Sequence, residues 1–168
     1  MYIIGDIGNT ETKIYTYSKN KKILRKIILK TNLINNKYLK KNLSFILKSR
    51  IDIKKIIFSS VVPNIFRLIK IFLNKNFKLK CYEIKELNIN KLIKILVNRK
   101  QIGSDRLCNA IAINDNKNNY IVVDFGTATT FDVVIKNKYL GGIIAPGVSL
   151  SLKTLSSKAS LIPSLKLK

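Results

Sequence analysis

Histidine is absent from these 168 residues, which removes the commonest general base and the commonest metal ligand from any mechanism. Acids are scarce too, nine against 32 lysines and arginines, so each carboxylate has to be accounted for. Cys81 and Cys108 stand far apart and form no CxxC pair, which indicates neither a zinc site nor a disulfide framework. Two isolated cysteines in a lysine-rich chain fit a reducing cytosol. Long apolar runs are also missing. The longest stretch without charge, Tyr139 to Leu152, has 14 residues and contains Gly and Pro, short of the ~18 that a membrane helix needs. Asp6 interrupts the apolar start, so no secretory signal is legible. The expectation is a soluble, cytoplasmic protein with no membrane partner.

What remains is apolar and basic. Hydrophobic residues make up 46% and mean hydropathy is +0.08, which argues for a folded chain rather than a disordered one. The length suits one ordinary domain or two small lobes. A net charge of +23 would ordinarily point to nucleic acid or an anionic membrane. Here the charge is mostly lysine, scattered among isoleucine and asparagine with no arginine-rich arm. That is what codon bias in an A/T-rich genome imposes, and no specific nucleic-acid partner is expected. Polyanions should still bind non-specifically at low salt.

The chain is organised around Tyr120 to Val134, YIVVDFGTATTFDVV. Four residues of buried-strand character run into Asp124, then a turn of small residues from Gly126 to Thr130, then a second strand from about Phe131. Such a turn presents backbone N–H groups and hydroxyls to an anion, and glycine lets the backbone come close to it. The carboxylate in that place asks for a cation. The plain alternative is a hairpin with a polar turn. Against it, the pattern occurs twice: Asp6, Ile7, Gly8 and Thr12 match Asp124, Phe125, Gly126 and Thr130 at a constant offset of 118. A repeat at that separation indicates duplicated lobes, and two such loops would grip a polyphosphate.

Elsewhere, Lys21–Leu29 reads as a third strand and Leu33–Leu47 as a helix, with Leu39, Leu43, Ile46 and Leu47 at helical spacing. Ile53–Pro63 is a buried strand closed by Pro63. Asn64 then caps a helix carrying Ile65, Leu68, Ile69 and Phe72 on one face, and Leu79–Ile84 is a short strand. The first lobe therefore reads β-β-β-α-β-α-β. Ser59 and Ser60, at the end of a central strand, face the core or the cleft, with the cleft edge favoured. Gln101–Asn114 holds a helix, with Gly103 and Ser104 in the turn ahead and Asp105 in its first turn, where a helix dipole favours an acid for structural reasons alone. Four of the nine acids, Asp6, Asp105, Asp124 and Asp132, fall in or beside these turns, which favours a functional role. Tyr139–Val148 is a strand bounded by glycines, and Val148–Leu161 a weak helix.

Five segments now carry a resemblance: DIGNTET (Asp6–Thr12), SSVVP (Ser59–Pro63), GSDR (Gly103–Arg106), DFGTATTFD (Asp124–Asp132) and GGIIAPG (Gly141–Gly147). In this order and spacing they resemble type III pantothenate kinases over essentially the whole chain. The resemblance implies an α/β, actin-like (ribonuclease H-like) duplicated ATPase fold, with a complete first lobe over 1–100, a substrate segment and connecting helix over 101–119, and a partial second lobe over 120–168. It implies phosphorylation of pantothenate by ATP to 4′-phosphopantothenate, the first step towards coenzyme A, in a homodimer that depends on Mg²⁺ and on K⁺ or NH₄⁺. It further implies an ATP-phosphate loop at Asp6–Lys13 (Asp6, Gly8, Asn9, Thr10, Thr12, Lys13), with Asp6 holding Mg²⁺ through water and Thr127 as a further ATP contact. Gly103, Ser104, Asp105 and Arg106 would bind pantothenate, Asp105 would accept the hydroxyl proton, and Asp124 would hold the monovalent cation. The chemistry agrees, because phosphoryl transfer needs positioning, charge neutralisation and one carboxylate. No Walker A loop or protein-kinase signature offers another scheme.

Two departures stand out. Family members usually carry Tyr-x-Asn-Pro ahead of Gly-x-Asp-Arg, where this chain has Leu96, Val97, Asn98 and Arg99. They also usually run on for several tens of residues past the position of Pro163, including a Thr that contacts pantothenate. The chain as given is therefore expected to bind ATP weakly and to turn over poorly. Two other readings stay open: a non-catalytic ATP-binding remnant or interaction module of the same family, and a basic nucleic-acid-binding protein, which a steep salt slope would reveal.

Overall fold

The computed structural model describes residues 1–48, 53–159 and 163. Its contacts divide the chain into two compact units, Met1–Asn88 with Gly103–Cys108, and Ile89–Ile102 with Asn109–Lys168. The expected cuts lay at residues 100 and 119; by contacts the chain leaves the first unit after Asn88 and returns to it for Gly103–Cys108.

The first unit is built on a five-stranded mixed sheet. Strands β1 (Tyr2–Ile7), β2 (Glu11–Tyr17) and β3 (Ile23–Lys30) form an antiparallel meander, and β4 (Lys55–Ser60) and β5 (Tyr82–Glu83) add in parallel, giving the order β3-β2-β1-β4-β5. Period-two alternation sets the faces: Ile3, Gly5 and Ile7 are buried, whereas Ile4 and Asp6 are exposed. Helices α1 (Asn36–Leu43), α2 (Phe45–Lys48) and α3 (Pro63–Phe77) lie between these strands in the chain, as the β-β-β-α-β-α-β reading expected. Leu39 and Leu43 of α1, and Phe66, Ile69, Phe72 and Leu73 of α3, share one core with Ile3, Ile7, Ile14, Leu29, Ile56 and Phe58. Each such side chain contributes about 1.5–3 kcal/mol on burial. Gly5 is required there, since a Cβ would overlap the Phe58 ring.

Several local expectations are corrected. Pro63 opens α3 at its first position rather than closing β4, and the preceding Val62, not Asn64, is the N-cap and makes no side-chain cap bond. Proline suits that place, because its missing N–H would have had no helical partner. The first helix is capped by the Asn35 side chain, which accepts from the Tyr38 N–H, and breaks at Ser44 before α2; the Leu47 side chain lies outside the described residues. The Leu79–Ile84 strand shrinks to two residues.

The second unit holds a four-stranded sheet in the order β6-β9-β8-β7, from β6 (Lys94–Ile95), β7 (Asn119–Phe125), β8 (Ala128–Ile135) and β9 (Lys138–Pro146). Helix α5 (Val148–Lys158) follows β9; the expected extension over 160–161 lies outside the described residues. Asp132, expected among the functional acids, is fully buried and accepts a hydrogen bond from the Tyr139 hydroxyl, itself buried. That carboxylate serves the fold. Asp115 is likewise structural: it accepts from the N–H groups of Lys117 and Asn118 and from the Tyr120 hydroxyl. These bonds, that of the Asn118 backbone foremost, hold its carboxyl well below the usual range.

Among the described residues, one face of this sheet carries exposed apolar side chains. Ile121, Val123 and Phe125 of β7 and Ile143 of β9 lie on it, with Val123 opposite Phe131 and Phe131 opposite Ile143; Ile121 is 68% exposed and Phe125 70%. An apolar patch of this kind binds apolar solutes. The native chain is expected to enhance the fluorescence of an uncharged hydrophobic dye, with Ile121→Glu plus Ile143→Glu lowering the signal severalfold. Dye fluorescence equal to that of a denatured control would contradict this reading. No helix among the described residues is long and apolar enough to cross a membrane.

Candidate active site

The first loop joins β1 to β2. Asp6, next to last in β1, lies on its exposed face, opposite Lys13 on β2 and beside Ser59 on β4. Gly8 closes the turn with its N–H on the Glu11 carbonyl, at 2.9 Å. Asn9 and Thr10 are exposed at the tip, where their groups face solvent. Thr12 differs from the expectation of a phosphate contact, for it is fully buried, with its hydroxyl 3.0 Å from that of Thr31. The Thr31 hydroxyl donates to the Gly8 carbonyl at 2.8 Å. A hydroxyl has one proton, so Thr12 is the donor to Thr31 and its own proton is spent inside the fold. The Thr31 N–H also holds the Thr10 carbonyl, at 3.0 Å.

Thr31 thus pins the loop at two carbonyls. The sequence reading missed it, since nothing local marks a threonine 19 residues from its partner. Thr31→Val keeps the shape and the N–H but leaves two buried groups without their bond, at a cost of about 1–3 kcal/mol. The expected result is a lower melting temperature and a smaller stabilisation by Mg-ATP in a thermal-shift titration. Unchanged ATP stabilisation would show that the brace does not shape the loop.

The second loop, joining β7 to β8, is tighter than expected. Asp124 and Phe125 belong to β7 and Ala128 to Thr130 to β8, leaving Gly126 and Thr127 as the turn, with the Gly126 N–H on the Ala128 carbonyl at 3.0 Å. Asp124 faces Thr130 across the hairpin, whereas Asp6 faces Lys13. Beyond the turn the constant offset therefore slips by one residue, and the counterpart of Thr12 is Thr129, which is buried as Thr12 is. Thr127 sits exposed at the tip. Gly147, the N-cap of α5, backs onto this turn so closely that a Cβ would overlap the Gly126 and Thr127 carbonyls.

Asp124 is exposed, and its Oδ2 accepts from the Asn109 side-chain amide at 3.1 Å. The Thr130 hydroxyl opposite is buried with no hydrogen-bond partner. A carboxylate and a hydroxyl on residues paired across the hairpin are hard oxygen groups of the kind that would suit a monovalent cation. Asp6 fits Mg²⁺ in a different sense, as the single carboxylate on which a largely hydrated ion carried by phosphates would rest. Among the described residues no cluster of three or more metal-ligating side chains occurs.

Gly103 precedes α4 (Ser104–Ile113), and Asp105 lies in the first turn of that helix as expected. The Asp105 side chain folds back over Gly103, where a Cβ would overlap Oδ1. That same oxygen accepts from the Arg106 N–H at 2.8 Å, and the other has no hydrogen-bond partner among the described residues. Asp105 is half-buried. Ser104 and Arg106 are buried, Ser104 with its hydroxyl unpartnered, so neither is offered openly to solvent. Ser59 is also buried, its hydroxyl without a hydrogen-bond partner among the described residues though near enough to the Cys108 thiol of α4 to act on its titration. Burial pushes that thiol up to about 11 against a weaker lowering by Ser59, and the charges of Asp6, Glu83 and Asp105 add to the rise. Cys108 was read from sequence only as an isolated cysteine.

The Tyr-x-Asn-Pro departure is local. Asn98 is retained and accepts from the Lys100 N–H to start a short 3-10 turn. Val97 packs near Gly141, whose φ of +101° suits glycine.

With the geometry in place, comparison with known proteins is decisive for the family. The profile of type III pantothenate kinases matches residues 2–168. The type III pantothenate kinase of Pelagibacter ubique (strain HTCC1062) is 58% identical over 168 residues, covering 100% of this chain and 68% of the relative. That of Desulforapulum autotrophicum is 34% identical, covering 97% of this chain and 65% of the relative. The chain thus spans about two thirds of the length of the curated relatives it matches. Among solved structures, a Sinorhizobium meliloti protein described as a 2-dehydro-3-deoxygalactonokinase aligns with TM-score 0.52 at 10% identity, over 96% of this chain and 58% of the other. That likeness shows a shared α/β, actin-like fold. The sequence profile and the identity to curated relatives establish that this chain belongs to the type III pantothenate kinase family.

Proposed function

We propose that the chain transfers the γ-phosphoryl group of ATP to the hydroxyl of pantothenate, forming 4′-phosphopantothenate, and that it does so in the cytoplasm as a homodimer. The observation that supports this most is the Asp105 carboxylate, held by the Arg106 N–H through one oxygen, with no hydrogen bond to the other among the described residues. In the proposed reaction the free oxygen takes the proton of the attacking hydroxyl. Asn9 and Thr10 at the first loop's tip, Lys13 opposite Asp6, and Thr127 contact ATP, and Gly103 to Arg106 contact pantothenate. Mg²⁺ and K⁺ or NH₄⁺, when bound, neutralise phosphate charge. Asp6 carries the first through water and Asp124 the second.

Gly103→Ala tests the positioning. The new Cβ takes the place of Asp105 Oδ1, and the carboxylate swings away at little cost to folding. The expected outcome is kcat reduced about 10²-fold, the order of loss that small misplacements produce, with a nearly unchanged melting temperature. Retention of kcat would mean that the observed carboxylate position is not the reactive one. Release of ADP that depends on pantothenate, followed by a coupled assay, tests the function itself. ATP binding without pantothenate-dependent ADP release would instead favour a non-catalytic ATP-binding module.

A further inference from the structure

A trough on the first unit is separate from the residues used above. It runs along the outer side of α3 where α1 packs beside it, lined by Asn36, Lys37, Lys40, Ile71 and Lys75, and it continues past Asn64, Arg67 and Leu68. The volume at the Lys40 end is about 390 Å³. Positions 64, 67, 68, 71 and 75 form one stripe of the helix. Its apolar strip is aliphatic at the surface, with Ile71 58% exposed and Leu68 half-buried, while Phe72 beneath is buried. Lys37, Lys40, Arg67 and Lys75 are exposed around it and have no ion-pair partner among the described residues. Neither α1 nor α3 carries an acid in its sequence, and from Thr12 to Tyr82 the chain has a single one, Asp52.

We infer that this trough docks an acidic, amphipathic segment of a partner protein, with one or two aliphatic or aromatic anchors seated on Ile71 and Leu68 and carboxylates paired with the four cations. Charge complementarity selects the sign of the partner. The apolar strip selects its kind. Nucleic acid gains from aromatic side chains on which bases stack, and the only aromatic ring lining the trough is buried. A peptide helix laid into a groove uses instead this kind of strip with a charged rim. Codon bias accounts for many lysines, but not for four unpaired cations arranged about one exposed isoleucine. The inference does not depend on the proposed kinase activity.

The test is fluorescence anisotropy with the full chain and a labelled twelve-residue peptide of alternating glutamates and leucines at i, i+3, i+4 and i+7. A second peptide has its leucines replaced by serine, and a labelled oligothymidylate serves as the nucleic-acid probe. The expected result is saturable binding of the first peptide, weakened about tenfold or more by loss of the leucines, the factor that burial of an apolar side chain implies. Lys40→Glu with Lys75→Glu should weaken it by a similar factor, and Ile71→Ser should remove the difference between the two peptides. Lys21→Glu with Lys22→Glu, on the β2–β3 turn, makes the same change in net charge and should have little effect. Circular dichroism confirms that each variant folds. Equal loss with the β2–β3 variant, equal binding of both peptides, or preferred binding of the oligothymidylate would overturn the proposal.

Discussion

Asp105→Asn is expected to cut turnover by about 10²–10⁴-fold, the usual contribution of a positioned general base, while Mg-ATP affinity stays within about twofold. The variant is a clean one. Asparagine retains an oxygen to accept the Arg106 N–H, which Asp105 Oδ1 holds at 2.8 Å, so the start of α4 is preserved. What is lost is the second carboxylate oxygen and its basicity. The rate loss corresponds to about 3–5.5 kcal/mol of transition-state stabilisation. A merely structural Asp105 would behave differently, because its value as an acid in a first helical turn is only about 0.3–1 kcal/mol and would appear in the melting temperature. An Asp105→Asn chain of near full activity would reduce Asp105 to that role.

Potassium or ammonium is expected to support activity that falls roughly tenfold or more in sodium alone, as selectivity by cavity size and ligand number would produce. The reason lies in Asp124, Asn109 and Thr130. The Asn109 amide fixes one oxygen of Asp124 at 3.1 Å, and the Thr130 hydroxyl across the hairpin is buried without a partner among the described residues. A cation resting on the remaining oxygens would satisfy that hydroxyl and offset the carboxylate charge. Binding to the folded chain alone also stabilises it, by about 2.7 kcal/mol when the ion is at 100 times its dissociation constant. The melting temperature should therefore rise more in potassium than in sodium, and Asp124→Ala should abolish the difference. Identical melting and identical rates in both salts would remove the cation from Asp124.

The candidate carboxylates were legible because the sequence changes character abruptly around them. Asp6 and Asp124 each end an apolar strand, and few other interruptions compete with them in a chain so poor in acids. Asp105 was legible for the same reason, next to a glycine that the structure shows it needs. Partnerships across the sheet were not. Thr12 and Thr129 look like phosphate donors in a hydroxyl-rich turn, yet both are buried, Thr12 by a pairing register that sets it opposite the buried Ile7, and the slip of one residue between the two hairpins is invisible until the strands are paired. Pro63 was ambiguous by nature, since proline both ends strands and begins helices. The two-residue strand β6 carries no period to detect. Asp132 drew attention for its rarity, but its bond to Tyr139, seven residues on across the β8–β9 hairpin, depends on how those strands pair.

The most direct measurement is mass analysis of pantothenate after incubation with the chain, Mg-ATP and potassium, at protein concentrations high enough to register a single turnover. The account predicts a phosphorylated pantothenate that forms only when all components are present and that vanishes with Asp105→Asn. A folded chain that binds Mg-ATP yet leaves pantothenate unmodified, or one whose product is undiminished by Asp105→Asn, would contradict it.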